Sequence, residues 1–277
     1  MMSGFGFAPL NTPVSDWRGK RIWLVGASSG IGAALAKAYL QCGAVVVLSA
    51  RRIEQLEFIA ANHPQALVLP FDVEDAEAWT AAQAQIRQTL GGLDLVIFCA
   101  AKYKPERSWE IERSDVAQTL RINLNSVYEG ICNSLPGMLE QGSGGIAIIA
   151  SVAGYIGLPN ASVYGPSKAA LINLAELLYC DLHSKNIDVY LINPGFVKTE
   201  LTKKNTFLMP ALQTPEQAAT AIIDGMQKGQ FEIHFPRRFT VPLKLLQMMP
   251  YRWRFALHLY PVCPVSILYV VAPFCWY

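Results

Sequence analysis

The chain has 277 residues, 52% of them hydrophobic and 16% charged, with a net charge of +2. That is material for one large core, and the near-neutral balance excludes nucleic acid as the main partner, because a phosphate-tracking surface carries a clear basic excess. The six cysteines form no CxxC pair and the four histidines stand apart, so the pattern reads as buried thiols in a reduced compartment and offers no metal site. Met1 to Ser15 lacks a basic n-region and an apolar h-region, so no secretory signal is expected and the protein is expected in the cytoplasm.

Residues 1–16 read as an N-terminal tail. Beyond them, short apolar runs alternate with longer periodic segments. In chain order the pattern predicts strand Arg21–Gly26, helix Ile31–Cys42, strands Ala44–Ser49 and Ala66–Pro70, then helix Glu74–Leu90. Strand Leu93–Phe98, helix Arg113–Leu139, strand Gly145–Ala150 and helix Ser162–Ser184 follow. Strand Asp188–Asn193, helix Pro215–Lys228 and a shorter strand Phe231–His234 complete the series. The first six strands are rich in Val, Ile and Leu without strict alternation, which is how strands covered on both faces read. Strand–helix alternation implies an α/β fold: a doubly wound parallel sheet of about seven strands with helices on both faces. No repeat or linker divides residues 17–240, which read as one domain.

Two features carry chemistry. The first strand runs into Gly26-Ala27-Ser28-Ser29-Gly30-Ile31-Gly32 and then into a helix. Glycines there allow a sharp exit from the strand, close approach to a phosphate, and tight helix–sheet packing. The helix N-terminus offers free N–H groups and positive partial charge to a pyrophosphate. Later, Ser151 ends the fifth strand, and Tyr164 and Lys168 share one helix face four residues apart. A nearby ammonium favours a phenolate, and a drop of roughly three pKa units corresponds to about 4 kcal/mol. The pair therefore suits proton transfer to a carbonyl oxygen or from an alcohol, with Ser151 holding that oxygen. Taken alone, Tyr-x-x-x-Lys is a common exposed pair. Its place after Ser151 and the glycine turn gives it weight.

The GxxxGxG turn, Ser151 and Tyr164-x-x-x-Lys168 together resemble the short-chain dehydrogenase/reductase family, over about Trp17 to Phe235. The resemblance implies a single-domain Rossmann-type fold and an NAD(P)-dependent oxidoreductase acting on CH–OH or C=O groups. It implies a catalytic set of Asn123, Ser151, Tyr164 and Lys168. Asn123 would hold a helix kink and a water linking Lys168 to solvent. The cofactor would meet Gly26, Ser28, Ser29, Gly30, Ile31 and Gly32 at its phosphates, and Ala100 near the sheet centre. Asp72 and Val73 would meet its adenine, with a helix N-cap as the other reading of Asp72. Pro194, Gly195, Val197 and Thr199 would meet its nicotinamide. Arg51 and Arg52, where an acidic residue would serve NAD(H), point to the 2′-phosphate of NADP(H), with Arg51 the better placed and NAD(H) the alternative. The family usually has Asn-Asn-Ala-Gly after the fourth strand; here Phe98-Cys99-Ala100-Ala101 stands instead. The backbone role of that segment is expected to survive without the Asn side chain.

The segment 200–212, where the family carries its lid, mixes Lys203 and Lys204 with Phe207, Leu208 and Met209. With the apolar tail it suggests a small-molecule carbonyl or alcohol substrate of apolar, lipid-like character, and the NADP(H) reading adds the reductive direction. Residues 241–277 read as an apolar extension packed on the domain, a partner subunit or a membrane surface. From Phe255 it has the length of a membrane span, but Pro261, Pro264 and Pro273 argue against an unbroken spanning helix. Arg252 and Arg254 with Tyr251, Trp253, Tyr260, Trp276 and Tyr277 would suit peripheral membrane contact. The resemblance also implies a homodimer or homotetramer. The competing class is a dinucleotide-binding sensor or scaffold of the same fold; its sign would be a lost catalytic residue, and none is lost.

Overall fold

In a computed structural model that describes residues 8–259, the apolar runs become seven parallel strands in one sheet. They are β1 (Arg21–Val25), β2 (Val45–Ser49), β3 (Ala66–Val68), β4 (Leu95–Phe98), β5 (Gly144–Ile149), β6 (Ile187–Pro194) and β7 (Glu232–Phe235). The spatial order is β3-β2-β1-β4-β5-β6-β7, and every neighbouring pair is parallel. Successive side chains of a strand point to opposite faces. Ile22 and Leu24 of β1 accordingly enter one core, and Trp23 and Val25 enter the other. Ala147 and Ile149 of β5 divide from Ile146 and Ile148 in the same way. Both faces are covered, so the strands need no polar alternation.

Helices α1 (Gly30–Gln41), α2 (Ile53–Ala60) and, beyond the sixth strand, α7 (Pro215–Gln227) cover the first face. The second is covered by α3 (Ala76–Leu90), α5 (Ser126–Gln141) and α6 (Tyr164–Leu182). Two stretches depart from expectation. The single helix expected over Arg113–Leu139 is α4 (Arg113–Leu120), a π turn at Arg121–Asn125, and α5. The start of the expected apolar extension, for which no helix was expected, forms α8 (Arg237–Met248) and α9 (Tyr251–Leu259), so helix runs through the expected boundary at residue 240. Phe239 and Leu243 of α8 pack against Val152, Tyr155 and Ile156. Residues 260–277, with Pro261, Pro264, Pro273 and the terminal aromatics, lie outside the described residues, as do residues 1–7. Among the described residues no helix is long and apolar enough to cross a membrane.

The chain leaves β1 toward β2 and β3, then returns to place β4 on the other side of β1. The loops after β1 and β4 therefore diverge and open a crevice at the carboxyl ends of the strands.

Candidate active site

That crevice is a cleft of about 600 Å³. Its walls hold the glycine turn, the ends of β2 to β6, and the segment 194–207. Among its lining residues are Gly26, Ser28, Ser29, Gly30, Ile31, Arg51, Arg52, Asp72, Val73 and Ala100 from the cofactor-binding expectation, joined by Pro194, Gly195, Val197 and Thr199. Ser151, Tyr164 and Lys168 line it as well. Gly32 and Asn123 stand behind the wall and act on its shape.

The glycine turn is built by close approach. A Cβ on Gly32 would sit 2.1 Å from the Gly26 carbonyl oxygen, so any larger residue would push α1 off the turn. Gly30 has φ +55, and a Cβ there would come within 2.9 Å of Thr199 Cγ2. The bare backbone keeps the gap between the turn and the 194–199 loop open. Ser29 is extended at the N-cap of α1 and caps no N–H with its own side chain. The first N–H groups of α1 are thus available to an anion, which is the donor chemistry a dinucleotide pyrophosphate requires.

At the end of β2, Arg52 donates from Nη2 to Ser28 Oγ at 2.9 Å, fixing the glycine turn there. Arg51 lies 3.7 Å from Asp72, and both are exposed. Asp72 accepts from the Glu74 N–H at 3.1 Å, but the residue that caps α3 is Asp75, which accepts from Glu77 and Ala78. The N-cap reading of Asp72 is therefore corrected. The substituted segment after β4 keeps its backbone role, since the Cys99 N–H donates to the Val25 carbonyl at 2.8 Å. Burial pushes the Cys99 thiol up to about 11, with Lys168 and the Gly32 N–H pulling the other way. Such a thiol is a poor nucleophile at neutral pH.

Tyr164 opens α6, and Lys168 lies one turn on with its ammonium 5.5 Å from the Tyr164 ring centre. Lys168 is 2% exposed and donates to the Ile149 carbonyl at 2.8 Å. Ser151 accepts from the Ala153 N–H at 3.1 Å, so its hydroxyl is held at the mouth of β5. One expectation is reversed. Burial pushes Tyr164 up to about 12, opposed by its hydrogen bond with Ser151, and burial brings Lys168 down to about 8. Removal from water is the largest cause of both shifts.

Asn123 is fully buried in the π turn. Its Oδ1 accepts from the Lys102 N–H at 2.7 Å, and its Nδ2 donates to the Lys102 carbonyl at 3.0 Å and to Ser167 Oγ at 3.1 Å. Ser167 in turn donates to the Tyr164 carbonyl at 2.7 Å. The kink is thus present, and a polar chain joins it to the first turn of α6.

Sequence reasoning missed the wall opposite Tyr164. Tyr103 packs edge-on against it with ring centres 4.9 Å apart, and its hydroxyl donates to Asn205 Oδ1 at 2.8 Å. Lys204 donates to the Tyr103 carbonyl at 2.9 Å, a second tie to the lid segment. Phe196 meets Phe207 at 5.7 Å and makes that end of the cleft apolar. No local pattern marks Tyr103 or Asn205, because the two lie 102 positions apart in the chain.

The family model described as short chain dehydrogenase matches residues 20–207. An uncharacterized oxidoreductase of Myxococcus xanthus is 31% identical over 231 residues, covering 82% of this chain and 91% of that one. Another, from Mycobacterium tuberculosis, is 33% identical over 237 residues, with 81% and 67% covered. Among solved structures, a short-chain dehydrogenase from Streptomyces avermitilis superposes with a TM-score of 0.75 at 25% identity, covering 82% of this chain and 92% of that one. A mutant short-chain dehydrogenase/reductase of Serratia marcescens gives 0.70 at 26% identity, with 79% and 97% covered. With the fold, the glycine turn and a matching model across most of its length, the chain belongs to the short-chain dehydrogenase/reductase family of oxidoreductases.

Proposed function

We propose that the protein reduces a carbonyl group to a secondary alcohol with NADPH, and that its substrate is an apolar ketone. The observation that carries the reading is that Ser151, Tyr164 and buried Lys168 line one cleft with the glycine turn. The glycine turn and the 194–199 loop would hold a reduced nicotinamide nucleotide along that cleft, and the chemistry it would supply is a hydride for the carbonyl carbon. Tyr164, kept protonated by burial, gives its Oη proton to the carbonyl oxygen, so C=O becomes CH–OH. Ser151 holds that oxygen by a hydrogen bond. The Lys168 ammonium stabilises the phenolate left behind and holds the ribose. Asn123 is a positioning residue, acting through the Lys102 backbone and Ser167.

Arg51 and Arg52 supply the charge for a 2′-phosphate, and no carboxylate ends β2 to bind a bare ribose in its place. Phe196, Phe207, Leu158 and Val152 make the substrate end apolar. The test is a panel of ketones with NADPH and NADH, on wild type and Tyr164→Phe. We expect NADPH to bind at least about tenfold more tightly than NADH, because a charge-assisted bidentate contact is lost with NADH. Tyr164→Phe should lower kcat by about 100-fold or more. Equal affinity for the two nucleotides would overturn the cofactor reading, and full turnover by Tyr164→Phe the proton donor.

A further inference from the structure

Helix α8 has two unlike sides. Phe239, Thr240 and Leu243 are buried on one. On the other, Val241, Leu245 and Met248 form a stripe at i, i+4 and i+7, exposed by 37%, 60% and 83%. Arg237 and Arg238, both exposed, open the helix on either side of that stripe. Tyr251 and Phe255 share one face of α9, with ring centres 5.6 Å apart, and both are exposed, as are Arg252 and Trp253. The elbow between the helices is fixed. Arg254 donates from Nη2 to the Gln247 and Met249 carbonyls at 2.7 and 3.2 Å, satisfying acceptors that the end of α8 leaves open, and its guanidinium lies 4.8 Å from the Tyr251 ring centre.

The charge that this segment itself carries has one sign. No Asp or Glu follows Glu232 in the sequence, while Arg237, Arg238, Lys244, Arg252 and Arg254 do. Lys244 is engaged by Glu232 and Arg254 by the elbow; Arg237, Arg238 and Arg252 face outward. The chain beyond carries no charged Asp, Glu, Lys or Arg to its end. An exposed apolar stripe, edged by arginines and rich in Trp and Tyr, has the chemistry of a helix lying in the boundary layer of an anionic bilayer.

We propose that α8 and α9 seat the protein on an anionic lipid surface. Phosphate headgroups meet Arg237, Arg238 and Arg252, and the stripe from Val241 to Phe255 enters the acyl boundary. The opposite, buried face of α8 is packed to the cleft. Phe239 of α8 meets Phe196 at 5.5 Å, and Phe196 meets Phe207 of the lid segment at 5.7 Å. Leu208 beside it is 76% exposed. An apolar molecule dissolved in the bilayer would thus be presented near the apolar end of the cleft. The docking itself does not depend on the substrate reading, because it is measured without substrate.

The test is flotation of the full-length protein with phosphatidylcholine vesicles, with and without about one-third phosphatidylglycerol. Wild type should float with the anionic vesicles, not with phosphatidylcholine alone, and its binding should fall as salt rises. The triple variant Arg237→Gln, Arg238→Gln, Arg252→Gln should bind about 100-fold more weakly. Leu245→Glu with Met248→Glu should bind at least about tenfold more weakly. Met248→Glu alone repeats the test at a side chain that packs on nothing essential, and unchanged melting certifies each fold. Failure of wild type to float overturns the proposal. Undiminished flotation of either multiple variant overturns it too, since the anchor would then lie elsewhere. A wild-type oligomer that Leu245→Glu with Met248→Glu dissociates, without flotation, would assign the stripe to a second copy of the chain instead.

Discussion

Lys168 is a charge held where the fold would prefer none. Its displacement from 10.5 to about 8 corresponds to about 3 kcal/mol of burial cost in the protonated form. The hydrogen bond to Ile149 offsets part of this. Lys168→Met should therefore remove turnover and yet stabilise the protein at pH 7, by about 1–2 kcal/mol. Because the folded pKa is depressed, the unfolded chain binds more protons between pH 8 and 10.5, so wild-type stability rises with pH across that window. The advantage of Lys168→Met should shrink correspondingly between pH 7 and about pH 10. Urea unfolding at both values checks it; a variant less stable at pH 7 would show that the buried ammonium is fully compensated. At this scale Tyr164 and Lys168 were legible because both lie on one helical turn. The direction of their pKa shifts was not, because it depends on how completely β5 and the loop around Tyr103 exclude water.

Elements defined by periodicity and stop signals were legible to within a few residues. Three were not. Helix α2 is only eight residues long and starts directly on Arg52, so it offers little period to read. Helix α8 contains Pro242, which reads as a breaker; its ring lies in the helix's second turn, where few intrahelical bonds are lost. The π turn carries no composition of its own, and only the resemblance at Asn123 pointed to a kink there; Asn123 specifies it by reaching the Lys102 backbone. Close packing between elements was equally silent. Gly130 of α5 lies so near β4 that a Cβ would come within 2.1 Å of the Phe98 ring and 2.9 Å of Trp79. Gly130→Ala should cost about 1–3 kcal/mol through overpacking, despite the better helix propensity of alanine. Thermal melting measures this; an unchanged Tm would mean that Phe98 can swing aside.

Across the whole molecule, the alternation of strands and helices conveyed the parallel sheet and the end at which its cleft opens. What it could not convey was closure of the sheet's far side by the segment before residue 17. Asn11 is 4% exposed, donates from Nδ2 to the Val189 carbonyl at 2.7 Å and accepts from the Val189 N–H at 3.2 Å. Its own N–H donates to the Gly229 carbonyl at 3.0 Å. The segment expected to be a tail is therefore stitched to β6 and to the turn before β7. Asn11→Ala would leave a buried N–H and carbonyl of β6 without partners, at a cost of about 2–4 kcal/mol. Chemical denaturation should register that loss while the chemistry at Tyr164, on the opposite end of the sheet, keeps its pH profile. A change in the profile would mean that the two ends are coupled.

The π turn at Arg121–Asn125 has a consequence for how such a chain can change over generations. It accommodates one residue more than a regular helix would in the same span. Deleting a single residue there would restore an unbroken helix and leave α5 in nearly the same phase relative to α4, so Gly130 would stay against the Phe98 ring. What the deletion would remove is the bulge in which Asn123 reaches the Lys102 backbone. Asn123 and the turn thus form an inherited unit, in which the extra residue is not free to be lost while the asparagine keeps its place.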